Sequence, residues 1–140
     1  QKEKGFKSYL EDSSNNNYKL KTYSLQQSDL DEKLHDLLNK PNTISGIFVT
    51  TSRGYSVAKI VNDFPDLDIK IIGYDLLDEN IKYLKNNAID FLINQNPKHQ
   101  AYLGITQLAE HFLFDKKIPK QKLLPIDIVN SENFDGYTNS

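Results

Sequence analysis

Short apolar runs recur along this chain at a fixed rhythm, and each is followed by a segment with helical spacing. Gly46-Ile47-Phe48-Val49-Thr50, Ile69-Lys70-Ile71-Ile72-Gly73 and Ile89 to Asn94 are the runs. The first is continuously apolar, as a strand covered on both faces is. Between the runs lie helical stripes: Leu30, Leu34, Leu37 and Leu38; then Val57, Ile60, Val61 and Phe64; then Ile81 and Leu84. The alternation repeats about every 25 residues and predicts right-handed crossovers. The fold class expected is α/β: a three-layer α/β/α arrangement with a mainly parallel sheet and helices on both faces.

The flanking segments extend the pattern. Residues 1–12 place Phe6, Tyr9 and Leu10 on one helical face, and Ser13 to Asn17 read as a polar break. Tyr18 to Ser24 alternates and predicts a strand near a sheet edge. Ser28, with Asp31 three positions later, predicts a capping box, and Pro41 and Asn42 stop the helix that follows. Thr51 and Ser52 are expected to cap the next helix, and Asp78 the one after it. Asn96-Pro97 is a strong helix start, opening a helix over 97–116 that lines up Ala101, Ile105, Leu108 and Phe112. Leu123 to Val129 is a last extended segment, so residues 1–130 read as one lobe and 131–140 as a polar tail.

The chain's 140 residues suffice for a single core. A net charge of −2 argues against a nucleic-acid footprint within this sequence. Cysteine is absent, which removes disulfides, thiolate zinc sites and cysteine nucleophiles. No apolar run approaches the roughly 20 residues that span a bilayer, so no membrane partner is expected. The start at Gln1 and the absence of methionine read as a piece excised from a longer protein.

In open parallel sheets, ligands bind at the carboxyl ends of the strands. That rule selects Thr51, Ser52 and Arg53 after the first run, Tyr74 and Asp75 after the second, and Gln95 after the third. Hydroxyls, a guanidinium, a phenol, a carboxylate and an amide on one rim suit a polyol. A carboxylate accepts from adjacent hydroxyls, an amide both donates and accepts, and aromatic faces pack on sugar rings. Each residue also has a plainer role: Asp75 as a turn residue, Thr51 and Ser52 as caps, Arg53 as a solvated charge.

Other chemistries lack their residues. His35, His99 and His111 lie on separate segments without metal-ligand spacing. Asp63, Asp66 and Asp68 lack the glycine and glutamate of a calcium loop. Phosphate-binding glycine loops and nucleophile elbows are absent. A receiver-domain reading of Asp75 fails for want of an acidic pair near the first strand and a late lysine. No catalytic residue, metal or cofactor is therefore expected, and the chain reads as a binding protein. The competing reading, a sugar-modifying or phosphoryl-transfer enzyme, needs an acid/base pair, and Asp75 has no evident partner in the sequence.

Three stretches resemble the periplasmic-binding-protein type I fold of lactose-repressor-like (LacI-type) regulators. They are Ser45-Gly46-Ile47-Phe48-Val49, Ile71-Ile72-Gly73-Tyr74-Asp75, and Ile89 to Pro97 with its Gln95-Asn96-Pro97 junction. Lys2-Glu3-Lys4-Gly5-Phe6 is similar to the family's R-x-x-G-F helix start, and Leu124 to Val129 to its closing strand. The resemblance implies that Asp75 and Gln95 contact ligand, with Gln95 beside the interlobe hinge. It puts Thr51 and Ser52 where many members carry an Asn-Asp pair, and Lys2 where many carry a sugar-contacting arginine. It implies a cytoplasmic, homodimeric regulator sensing a sugar or small polyol, with DNA bound only by a helix-turn-helix outside this chain. The alternative is an exported sugar-binding protein of a transporter or chemoreceptor.

By the same resemblance the 97–116 helix packs on a partner lobe, and the strand and helix that normally open this lobe lie outside the sequence. A sheet short of an inner strand exposes unpaired backbone and apolar surface, which favours self-association or strand exchange. Size-exclusion chromatography with light scattering is expected to show association of this chain. A clean monomer at high concentration would count heavily against it.

Overall fold

In the computed structural model, which describes residues 1–12, 18–41 and 44–138, the alternation predicted above closes into one four-stranded sheet. In chain order the elements are α1 (Lys2–Asp12), α2 (Gln27–Leu38), β1 (Gly46–Phe48), α3 (Gly54–Val61) and β2 (Lys70–Tyr74). They continue with α4 (Asp78–Lys85), β3 (Phe91–Asn94), α5 (Pro97–Phe114), β4 (Asp127–Val129) and α6 (Asp135–Thr138). The strands lie side by side in sequence order. β1, β2 and β3 are parallel, with Ile47 opposite Ile71 and Gly73 opposite Leu92. β4 joins antiparallel, with Val129 opposite Leu92. The three parallel strands therefore end on the same side, as the crossover rule requires.

Alternation of side chains gives the sheet two unequal faces. Ile71, Leu92 and Val129, all 0% exposed, point to the face covered by α3 and α4. Leu84, Ile89, Ile60 and Ala58 complete that core, and Leu34 and Leu38 of α2 pack against α3 from outside. The opposite face is thinner. Phe6 of α1 stacks on Phe48 with ring centroids 4.4 Å apart, and Phe91 stays 40% exposed. Helices do flank both faces, but one side carries most of the packing.

Several local expectations change. Tyr18 to Ser24 forms no strand: among the described residues it pairs with no neighbouring strand. β1 is shorter than its apolar run and only partly covered, since it is an edge strand. α2 starts at Gln27, and Ser28 hydrogen-bonds the adjacent Asp29 carboxylate (2.6 Å), so no capping box forms. α3 begins at Gly54 with Arg53 at the cap position, beyond Thr51 and Ser52. Asp78 is the first residue of α4 and Leu77 precedes it as the cap. Asn96 does cap α5, accepting from the His99 backbone N–H at 3.1 Å with Pro97 behind it. The break at Ser13 to Asn17 and the stop at Asn42 lie outside the described residues.

The closing segment is more than a polar tail. Asn130 and Asn133 form a reciprocal turn, Ser131 bonds Asn87 at 2.8 Å, and Phe134 enters the core with Lys85 over its ring at 4.6 Å. α5 behaves oppositely. None of its residues is buried, and Ile105, Leu108 and Phe112 on the predicted apolar stripe are all exposed.

This contrast predicts two different mutational costs. Leu84→Ala, at the α4–β3 contact, should lose about 2–5 kcal/mol in urea denaturation. Leu108→Ala on α5 should change stability by no more than about 0.5 kcal/mol. Comparable losses at both positions would contradict this assignment of the core.

Candidate functional site

The carboxyl ends of β1, β2 and β3 open into three connections: Val49 to Arg53, Asp75 to Leu77, and Gln95 to Asn96. Asp75 follows β2 directly in a left-handed backbone conformation, φ 65°, unusual for a residue other than glycine. Its backbone N–H donates to the Ile93 carbonyl at 3.0 Å, one last rung beyond the regular ladder. Its carboxylate accepts from Gln95 Nε2 at 3.4 Å, and Gln95 in turn offers its carbonyl to Gln100 Nε2 at 2.7 Å. Asp75 and Gln95 are thus a hydrogen-bonded pair contributed by neighbouring strands, and both remain partly accessible.

Tyr74 sits one residue earlier and points to the α1 face. Lys2 Nζ lies 3.6 Å from its ring centroid, and Phe48 meets it edge-on at 5.8 Å. The phenol is 7% exposed. Its ring is therefore occupied by an ammonium group and by Phe48, so it supports Lys2 instead of presenting a free aromatic face to a sugar. Burial, with the Asp75 carboxylate alongside, holds the phenol above the usual tyrosine range.

The β1 connection joins the rim through a residue that the sequence reading passed over. Asn80 of α4 is 0% exposed. Its Nδ2 donates to the carbonyls of Ser52 (2.8 Å), Tyr74 (3.0 Å) and Asp75 (3.0 Å), and its Oδ1 accepts from Tyr55 N–H (2.8 Å). A signal existed: Asn80 stands beside Ile81 and four residues before Leu84, at a core position of an amphipathic helix. Buried amides there need partners.

The candidates separate accordingly. Lys2, Tyr74, Asp75 and Gln95 form one contiguous edge, with Ser52 tied to it by backbone. Arg53 turns aside, its Nη1 donating to Gln27 Oε1 at 3.1 Å. Thr51 Oγ1 accepts from Arg53 N–H within its own turn at 3.4 Å. Two surface depressions, of about 470 Å³ along α1 and about 240 Å³ at the amino ends of β2 and β3, lie away from this rim. At the rim Asp75 and Gln95 stay partly accessible. Among the described residues no cluster of three metal-ligating side chains occurs, and no helix is long and apolar enough to cross a membrane.

The Periplasmic binding protein domain family matches residues 1–116. Among solved structures, a provisionally designated LacI transcriptional regulator from Bacteroides fragilis superposes with a TM-score of 0.87 at 27% identity, covering 96% of this chain. An ABC transporter solute binding protein from Agrobacterium vitis, bound with α-D-tagatopyranose, gives a TM-score of 0.80 at 22% identity over 94% of this chain and shares the fold. A carbohydrate transporter solute binding protein from Agrobacterium radiobacter, in complex with D-arabinose, gives 0.64 at 25% identity over 74%. This chain spans 47%, 45% and 35% of those three structures, respectively. No curated protein matches it.

The raised Tyr74 phenol sets a pH test. When the folded value lies above the unfolded one, the stability contribution is complete below the unfolded value, about pH 10, and is lost as pH climbs past it. Wild-type stability should therefore fall faster than that of Tyr74→Phe as the pH rises above about 10. Parallel pH curves for the two proteins in chemical denaturation would show that the phenol is not perturbed.

Proposed function

We propose, from the premise that this chain belongs to the Periplasmic binding protein domain family, that it is one ligand-holding lobe of a sugar-responsive protein. The observation that carries this reading is the Asp75–Gln95 pair at adjacent strand ends, with Lys2 beside it on Tyr74. An ionised carboxylate accepts from two vicinal hydroxyls, an amide matches a hydroxyl in either sense, and an ammonium donates to a third. In this reading Ser52, tied to the rim through its backbone carbonyl, adds a hydroxyl from the neighbouring turn, with Thr51 and Arg53 at its margin. In this reading the chemistry is recognition without turnover: Asp75 is bonded to the Gln95 amide, and among the described residues no carboxylate or histidine is bonded to it as an acid–base partner.

One lobe whose contacting residues stay partly accessible binds a small polyol weakly, because affinity requires burial of most of the ligand surface. A second lobe closing over the rim supplies that burial. The exposed apolar side chains of α5 are the surface on which this reading docks the second lobe. Closure on a ligand is then a population shift driven by contacts made only in the closed form.

Within this reading we favour the cytoplasmic regulator over the exported carrier. The support is the likeness to the Bacteroides fragilis regulator, which spans nearly the whole chain. DNA would be reached through a separate head acting in a homodimer. The exported reading is supported by the carriers bound to α-D-tagatopyranose and D-arabinose.

Thermal-shift titration of the complete protein with D-tagatose, D-arabinose, D-allose and common hexoses tests the site. A bound sugar at a hundred times its Kd should add about 2.7 kcal/mol of stability, a shift of several degrees. Asp75→Ala and Gln95→Ala should each abolish it. A shift that survives both substitutions would place the sugar elsewhere, and no shift with any sugar would remove the ligand class.

A further inference from the structure

We propose that Asn80 is the positioning residue of this rim: its buried carboxamide fixes the backbone of Asp75 and so aims the Asp75 carboxylate at Gln95. The inference rests on the reading of Asp75 and Gln95 as the ligand-contacting pair, and it adds a residue that touches no ligand itself.

The donor count makes the argument. A primary amide has two N–H bonds, yet Asn80 Nδ2 stands 2.8–3.0 Å from three carbonyls, those of Ser52, Tyr74 and Asp75. One hydrogen must be shared, so the three carbonyls are drawn together around a single nitrogen. They belong to two different strand-to-helix connections, after β1 and after β2. On its other side the amide oxygen holds Tyr55 N–H at the start of α3 at 2.8 Å. A residue that merely satisfied its own burial would need one partner for each polar atom. This one clamps both connections.

Asp75 is where the clamp matters. Its φ of 65° lies in the left-handed region, which costs a residue with a Cβ energy even though Asp visits it more readily than most, and here the surroundings hold it. Two backbone bonds do so here, Asp75 N–H to Ile93 and Asp75 carbonyl to Asn80. Without the second, the peptide following Asp75 is free to rotate toward an ordinary conformation. The side chain would then swing off the line on which it meets Gln95 at 3.4 Å. Because Asn80 lies in the first turn of α4, any displacement of that helix is also transmitted to the carboxylate.

The test needs no sugar. In amide-detected NMR of the full chain, the Gln95 side-chain NH2 resonances report the bond to Asp75. Asn80→Asp keeps the size and the acceptor toward Tyr55 but removes both donors. It should move the Gln95 NH2 pair to the position seen in Asp75→Ala and change the HN–Hα coupling of Asp75. The Ile71 amide, held separately by Asp90 at 2.8 Å, should stay where it is. A folded Asn80→Asp or Asn80→Ala protein whose Gln95 and Asp75 signals match wild type would overturn the proposal. Should the variants unfold, hydrogen exchange of the Asn80 side-chain amide in the wild-type protein decides: strong protection supports the clamp, and exchange at a surface rate overturns it. If Gln95 responds as expected but no sugar binds, the clamp stands and the ligand reading falls.

Discussion

The close approach of α3 to the centre of the sheet sets the geometry of everything at the rim. Gly73 of β2 and Gly54 at the start of α3 face each other, and a Cβ built on Gly73 would lie 3.5 Å from the Gly54 Cα and 3.3 Å from Leu92 Cδ2. A Cβ at Gly73 would require the Leu92 side chain to give by a few tenths of an ångström, and one at Gly54 would pack directly on Asn80, Ile89 and Gly73. With both bare, the amino end of α3 settles over β2, and the turn from Ser52 to Gly54 comes within reach of Asn80. The same row of the sheet runs Gly73–Leu92–Val129, so this close approach lies in a row whose Leu92 and Val129 are fully buried. Dispersion and apolar burial are greatest where the backbone is closest.

Much of this was legible in the residues. Apolar runs of five or six residues between helical stripes locate β1, β2 and β3 to within a few positions, because the residues facing α3 and α4 are buried and those on the thinner face are still largely apolar. The Asn96-Pro97 start was also readable, since its capping geometry is local. Tyr18 to Ser24 shows the limit of such reasoning. Its alternation is real, but a strand is defined by a partner, and period alone does not reveal whether one is adjacent. Ser28, Ser52 and Asp78 fail as caps for a related reason. Helix starts here are fixed by what α2, α3 and α4 pack against, and that shifts each boundary by a residue or two from the best capping side chain. Phe134 was hidden among polar neighbours that turn out to build the turn delivering it to the core.

At the rim, the strand-end rule found Asp75 and Gln95 because it depends only on topology, and topology was the best-determined quantity. It could not say where long side chains go after leaving the backbone. Arg53 reaches Gln27, and Lys2, far away in sequence, arrives over Tyr74 because Phe6 docks α1 on Phe48. Asn80 was missed because its role depends on two connections meeting in space. In sequence it is one more polar residue in an acidic first turn beside Asp78 and Glu79.

The placement of Lys2 changes what kind of site this edge can be. An arginine held by a carboxylate presents a flat, two-pronged donor in one fixed plane. Lys2 has no carboxylate within 4 Å among the described residues; it is seated on a π face, which attracts the charge without fixing the direction of its three N–H bonds. It can turn those donors toward hydroxyls of differing stereochemistry with little strain. The Asp75–Gln95 pair is the opposite case, since a constrained backbone and a side-chain hydrogen bond fix its orientation. In the proposed sugar-binding reading, discrimination between one sugar and its epimer therefore comes from the Asp75 side of the rim, while Lys2 contributes attraction that many polyols can share.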